Sequence, residues 1–142
     1  MGTEMQTLEA AVRIARILHV VFVVGIPIYV TIGELLGKRA DVEVSVIFPV
    51  LLVVAGAQGI AVFFLRSRLI SPAAEALRLR PEDAAEMTRW MIANFASFAL
   101  CEAIGLFGFV VRILGGTLEQ AAPFYALSFF LLVALYPRNP VD

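Results

Sequence analysis

Four long apolar runs dominate this sequence: Ile17–Leu36, Val46–Leu65, Trp90–Leu114 and Ala121–Leu135. A helix needs roughly 20 apolar residues to cross a hydrocarbon core about 30 Å thick. The first three runs reach that length, and the fourth crosses only with little tilt or by borrowing its flanks. In lipid, every backbone polar group needs an internal partner, which leaves helices or closed barrels. The runs are too long and too weakly alternating for barrel strands. The sequence therefore predicts an all-α membrane bundle of four antiparallel transmembrane helices, formed by residues 1–142 as a single domain.

Composition points the same way. Hydrophobic residues make up 61% of the chain and charged residues 16%, against roughly 45–50% and about 25% in an ordinary soluble domain. The formal net charge is −1, so no basic field calls for nucleic acid. The expected partners are the lipid bilayer and other membrane subunits or further copies of the chain. Arg13 and Arg16 precede the first run, which continues too far and lacks the small-residue cleavage pattern of a signal peptide, so a retained first span is expected. The single cysteine, Cys101, excludes an intramolecular disulfide.

Local chemistry marks the helix ends. Thr117 and Gln120 have capping-box spacing and set the start of the fourth helix near Leu118. Gly115–Gly116 ends the third helix, and Pro137 and Pro140 stop the fourth. Pro49 is placed in the first turn of the second helix, and Pro27 inside the first, where it is expected to kink it. The one long polar connection is Ser67–Arg89. Its Ser71–Pro72 and Arg80–Pro81 pairs both read as helix starts, so an additional helical segment is expected there. A helix from Pro81 running into the third span would have about 34 residues and a length on the order of 50 Å.

Cations set the expected orientation. With four spans, the termini and the middle connection share one side, which holds Arg13, Arg16, Arg66, Arg68, Arg78, Arg80, Arg89 and Arg138. The other side holds Lys38, Arg39 and Arg112. The positive-inside rule puts both termini and the Ser67–Arg89 connection in the cytoplasm. Trp90, at the inner boundary, is read as an interfacial anchor.

Polar groups in the apolar runs are the candidate functional residues, because each is costly in lipid. Glu102 lies about midway along the third run. It either carries its proton or faces a partner or water, which makes it a candidate ion-binding or buried carboxylate. Asn94, Ser97, Cys101, Gly105, Gly108 and Arg112 share one small, mildly polar face of the same helix, suited to close helix packing. Gly33/Gly37 and Ala55/Gly59 are further pairs of small residues. His19, the only histidine, offers a neutral ring nitrogen that could hold haem or chlorophyll magnesium; the alternative is a hydrogen bond to Gln58 or Asn94, which lie at similar depth. Glu34 and Arg112 lie near the same end of their helices and are expected to pair, with Glu119 as a rival partner. No metal-site spacing, GxSxG, HExxH, phosphate-binding loop or dinucleotide fingerprint is present. The pattern predicts a protein that is not an enzyme, with its cofactor, if any, unknown.

The stretch Ser97–Val111 contains Glu102-Ala103-Ile104 and Phe107-Gly108-Phe109-Val110-Val111. It resembles the carboxylate-bearing helix of rotary ATPase proteolipids. The resemblance implies a proton- or sodium-carrying role for Glu102 in a ring subunit. Three functions are thus expected of such a chain: an accessory subunit of a membrane complex, an ion-translocating subunit using Glu102, or a haem- or chlorophyll-binding subunit using His19.

Overall fold

A computed structural model describes residues 2–36 and 44–141, with side chains from Leu8 onward. The described residues are helical, with no strands: α1 (Gly2–Leu36), α2 (Val44–Leu65), a π-helical turn (Arg66–Ile70), α3 (Ser71–Leu79), α4 (Ala84–Ile113) and α5 (Leu118–Ala134). Three helical stretches are long and apolar enough to cross a membrane: α1, α2 continued through α3, and α4. α5 has 17 residues, or about 26 Å at 1.5 Å per residue.

α1 begins well before the apolar run that marks it in the sequence. Leu8, Ala11, Val12 and Ala15 recur at helical spacing and are buried, so the first turns form an amphipathic helix. Leu8, Val12 and Ala15 pack with Ala73 and Leu77 of α3 and Trp90 of α4 in a small core of their own. Trp90 is 2% exposed; it is a core residue and not the interfacial anchor expected from its position. Pro27 lies within α1, which remains helical through it.

The expected polar connection is mostly helix. α2 passes into α3 without a loop, and both Leu65 and Ser71, which flank the π turn, have helical backbone angles. The Ser71 N–H reaches back five residues to the Arg66 carbonyl. Pro72 has no N–H to continue the ordinary ladder, and the wide turn just before it absorbs the break. The chain reverses only after Arg80, whose φ of −141° and ψ of 81° are non-helical, as expected for a residue before proline. Pro81 sits in that turn and does not start α4. Asp83 is the N-cap, its Oδ1 accepting from the Ala85 and Glu86 N–H groups at 3.0 and 3.1 Å. An aspartate in that position satisfies two donors at once, so the helix begins at Ala84 and has 30 residues. Pro49 also moves: α2 starts at Val44, which puts the proline beyond the first turn.

α4 is the central helix, packed against α1, α2, α3 and α5. It ends in a glycine cap. Gly115 has φ 94°, its N–H meets the Arg112 carbonyl, and the Gly116 N–H meets the Val111 carbonyl, the pairing of a Schellman motif. Thr117 then opens α5 with a complete capping box to Gln120. α5 folds back along α4, and two glycines permit the close approach. A Cβ on Gly108 would lie 2.9 Å from Tyr125 Cε1 and 3.0 Å from the Ala121 carbonyl oxygen; one on Gly105 would lie 3.1 Å from Ser128 Oγ of α5, and 2.6 Å from Ile26 Cδ1 of α1. The Asn94, Ser97, Cys101, Gly105, Gly108 and Arg112 face is buried throughout. Ala55 is buried too, whereas Gly59 faces open space and makes no packing pair with it. Gly37 lies outside the described residues.

Among the described residues, α1 and α2 do not approach one another; both lean on the α4–α5 pair. The strip of α4 carrying Ile92, Phe95, Ala99, Ala103, Leu106 and Val110 is therefore left partly or fully exposed.

Candidate functional site

Glu102 borders that exposed strip, half-buried on α4. The Tyr29 hydroxyl of α1 donates to its Oε1 at 2.5 Å. The two helices can approach here because residue 25 is glycine: a Cβ on Gly25 would lie 3.1 Å from the same Glu102 oxygen. Phe109 packs near the Tyr29 ring, with centroids 5.9 Å apart. The carboxyl is thus held by a neutral donor. Tyr29 is a site residue that the polar inventory of the sequence does not reveal, because a tyrosine in an apolar run reads as an aromatic filler.

At one end of the molecule, Arg112 and Glu34 come together. Arg112 Nε and Nη2 donate to the two carboxylate oxygens at 2.7 and 2.9 Å, the side-on geometry that suits a guanidinium. A third bond runs from Nη1 to the Gly116 carbonyl. The Arg112 side chain is 10% exposed and that of Glu34 43%. The interaction joins α1 to the α4–α5 turn. Gly33 leaves room for it, since a Cβ there would lie 3.3 Å from Arg112 Cβ and 3.2 Å from the Tyr125 hydroxyl.

His19 takes neither Gln58 nor Asn94 as a partner. Its Nε2 donates to the Leu132 carbonyl of α5 at 2.8 Å. Phe98 and Tyr136 approach the ring edge-on, with centroids 5.3 and 5.4 Å away, and Nδ1 is buried without a hydrogen bond. The physical reason for this choice of partner lies in α5. The last carbonyls of a helix have no intrahelical donors of the usual kind. His19 supplies one to Leu132, and Arg66 Nη1 supplies another to Ala134 at 3.1 Å. Beyond the helix, Arg78 Nε donates to the Pro140 carbonyl at 2.8 Å and Arg16 Nε to that of Pro137 at 3.4 Å. Four cationic or potentially cationic side chains from three other elements thus complete the end of α5 and its extension. Asn94 turns to its own helix and donates to the Trp90 carbonyl at 2.8 Å. Gln58 Oε1 is buried without a partner. The six polar candidates therefore divide: Glu34 with Arg112 form one contact, while Glu102, His19, Gln58 and Asn94 stand apart from one another.

Together these features describe an all-helical protein with three helices of membrane-spanning length and apolarity. Comparison with known protein families, curated proteins and solved structures finds no match to this chain.

Proposed function

We propose that this chain spans a bilayer as four antiparallel helices and serves as a non-catalytic subunit of a larger membrane assembly. The observation that carries this reading is the separation of α1 from α2, which leaves the Ala99–Ala103 strip of α4 open between them. Small residues on an exposed helix face let a second backbone approach closely, which drives helix association in lipid. The excess of arginines at the end holding Arg16, Arg66 and Arg78 supports an orientation with that end in the cytoplasm.

The test is native co-purification in mild detergent with Ala103→Trp as the comparison. The variant fills the strip and leaves the four-helix contacts alone. The expected result is a defined partner, or a defined oligomer of this chain, that the variant loses while retaining its helical content. A lone monomer, or the same complex in both proteins, refutes the reading.

The bond between Tyr29 and Glu102 favours a second reading. A carboxyl held by a single hydroxyl beside an open face is suited to taking up a proton or cation, in keeping with the proteolipid resemblance of Ser97–Val111. Carbodiimide modification of Glu102 at neutral pH, together with loss of ion flux in Glu102→Gln with assembly intact, supports that reading; an unreactive carboxyl and unchanged behaviour remove it. The placement of His19, committed to a backbone carbonyl and enclosed by two aromatic rings, favours helix–helix bonding over cofactor ligation.

A further inference from the structure

A cavity of about 260 Å³ lies at the arginine-rich end, between the π turn, α3, the start of α4 and the stretch after α5. Its walls are largely polar. Arg66, Arg78 and Arg138 reach it from three different parts of the chain, and Glu75 is the one acidic residue among its walls. Arg66 and Arg78 are held in place by their bonds to the Ala134 and Pro140 carbonyls. Each bond engages one of the five donors of a guanidinium, so the group is oriented without being saturated by that contact. Arg66 directly follows the apolar run of α2, and Phe63 and Phe64 just before it are exposed. On the reading that α2 crosses a bilayer, this is the level at which headgroup phosphates lie, with acyl chains against the exposed phenylalanines.

We infer that this cavity binds a phosphate-bearing anion, supplied by the headgroup of an anionic phospholipid. A phosphate accepts paired hydrogen bonds from guanidinium groups in fixed geometry, and three arginines from separate elements surround the anion in a way one helix cannot. Occupancy would also tie α3, the π turn and the stretch after α5 together through a common ligand. The location suits an anionic headgroup on the cytoplasmic leaflet. The inference rests on the membrane-spanning reading for the source of the phosphate, and on the cavity alone for its chemistry.

Trp90 lines the cavity and is the only tryptophan in the chain, so its fluorescence reports occupancy directly. The experiment titrates the full-length protein in neutral detergent with short-chain phosphatidylglycerol, short-chain phosphatidylcholine and inorganic phosphate in separate arms. The expected result is a saturable change in Trp90 emission with phosphatidylglycerol and none with phosphatidylcholine. Arg78→Gln and Arg66→Gln should each weaken the midpoint about tenfold, the loss of one charge-assisted hydrogen-bonded contact. Arg78→Lys, which keeps the charge and loses the fork, should lie between. Arg89→Gln, at an exposed residue outside the cavity, should change nothing. A midpoint for inorganic phosphate equal to that for the lipid keeps the site and makes its ligand a soluble phosphate. Equal responses to the two lipids, or midpoints unmoved in all three cavity variants whose circular dichroism is native, overturn the proposal. Resistance of the protein to alkaline carbonate extraction from membranes tests the spanning reading separately.

Discussion

Arg112 and Glu34 meet through two parallel hydrogen bonds that tie the end of α1 to the turn between α4 and α5. The guanidinium is nearly enclosed while the carboxylate is partly open, so the two residues are not equivalent. Glu34→Ala strands an enclosed cation and should destabilise the fold by about 1–3 kcal/mol, below the range for a fully buried pair because Glu34 is partly solvated. Arg112→Lys should lose much of the same energy, since an ammonium cannot reproduce the fork. Thermal unfolding in detergent, run as a double-mutant cycle, measures the coupling; additive effects of Glu34→Ala and Arg112→Ala contradict it.

The glycines of α4 and α2 should respond in opposite ways. Gly108→Ala pushes a methyl group against the Ala121 carbonyl, a backbone atom that cannot step aside. Overpacking of this kind costs about 1–3 kcal/mol. Gly59→Ala meets nothing within 4 Å and should be neutral or stabilising by up to about 1 kcal/mol through helix propensity. Paired unfolding midpoints of the two variants check the contrast.

Tyr29→Phe removes the one hydroxyl that donates to Glu102 Oε1 and should cost about 0.5–1.5 kcal/mol, the usual net contribution of such a bond. Glu102→Gln keeps a side-chain oxygen able to accept from Tyr29 and should unfold close to the parent temperature. If Glu102→Gln proves the more damaging of the two, the carboxyl is held by something other than Tyr29.

His19→Ala should leave the Leu132 carbonyl with only the Leu135 N–H as a donor and open space beside Phe98 and Tyr136. The combined loss is about 2–4 kcal/mol, from one lost buried hydrogen bond and a cavity. Hydrogen exchange should rise first in the last turn of α5, near Leu135, and remain slow at the start of that helix.

Asp83→Ala removes both side-chain bonds to the first N–H groups of α4 and should cost about 0.5–2 kcal/mol. Asp83→Asn should recover most of it. Limited proteolysis near Arg80 is the sensitive assay, because fraying would start in that turn.

What the sequence discloses and what it hides follow a physical division. The start of α5 is legible because Thr117 and Gln120 act on backbone groups three residues away. The end of α4 is legible because only glycine readily takes the backbone angles of Gly115. Helical class and the long apolar elements follow from runs of residues alone. The amphipathic start of α1 is hidden by the much stronger apolar run behind it, which draws the apparent boundary to Ile17. The continuity of α2 into α3 is hidden because Pro72 suggests a new helix, although a wide turn can carry the old one past it. His19 finds a backbone carbonyl, which no inventory of side chains can suggest. Tyr29 becomes informative only once Gly25 is seen to bring α1 close to Glu102.

The π turn between Leu65 and Ser71 also acts as a phase adjuster. One residue advances an α-helix by about 100°, and the wide turn accommodates an extra residue without lengthening the axis in proportion. Excising one residue from 66–70 would restore ordinary winding and swing Ala73 and Leu77 off the groove formed by Leu8, Val12 and Trp90. The whole small core at this end therefore depends on the length of five residues that contribute only Ile70 to its edge.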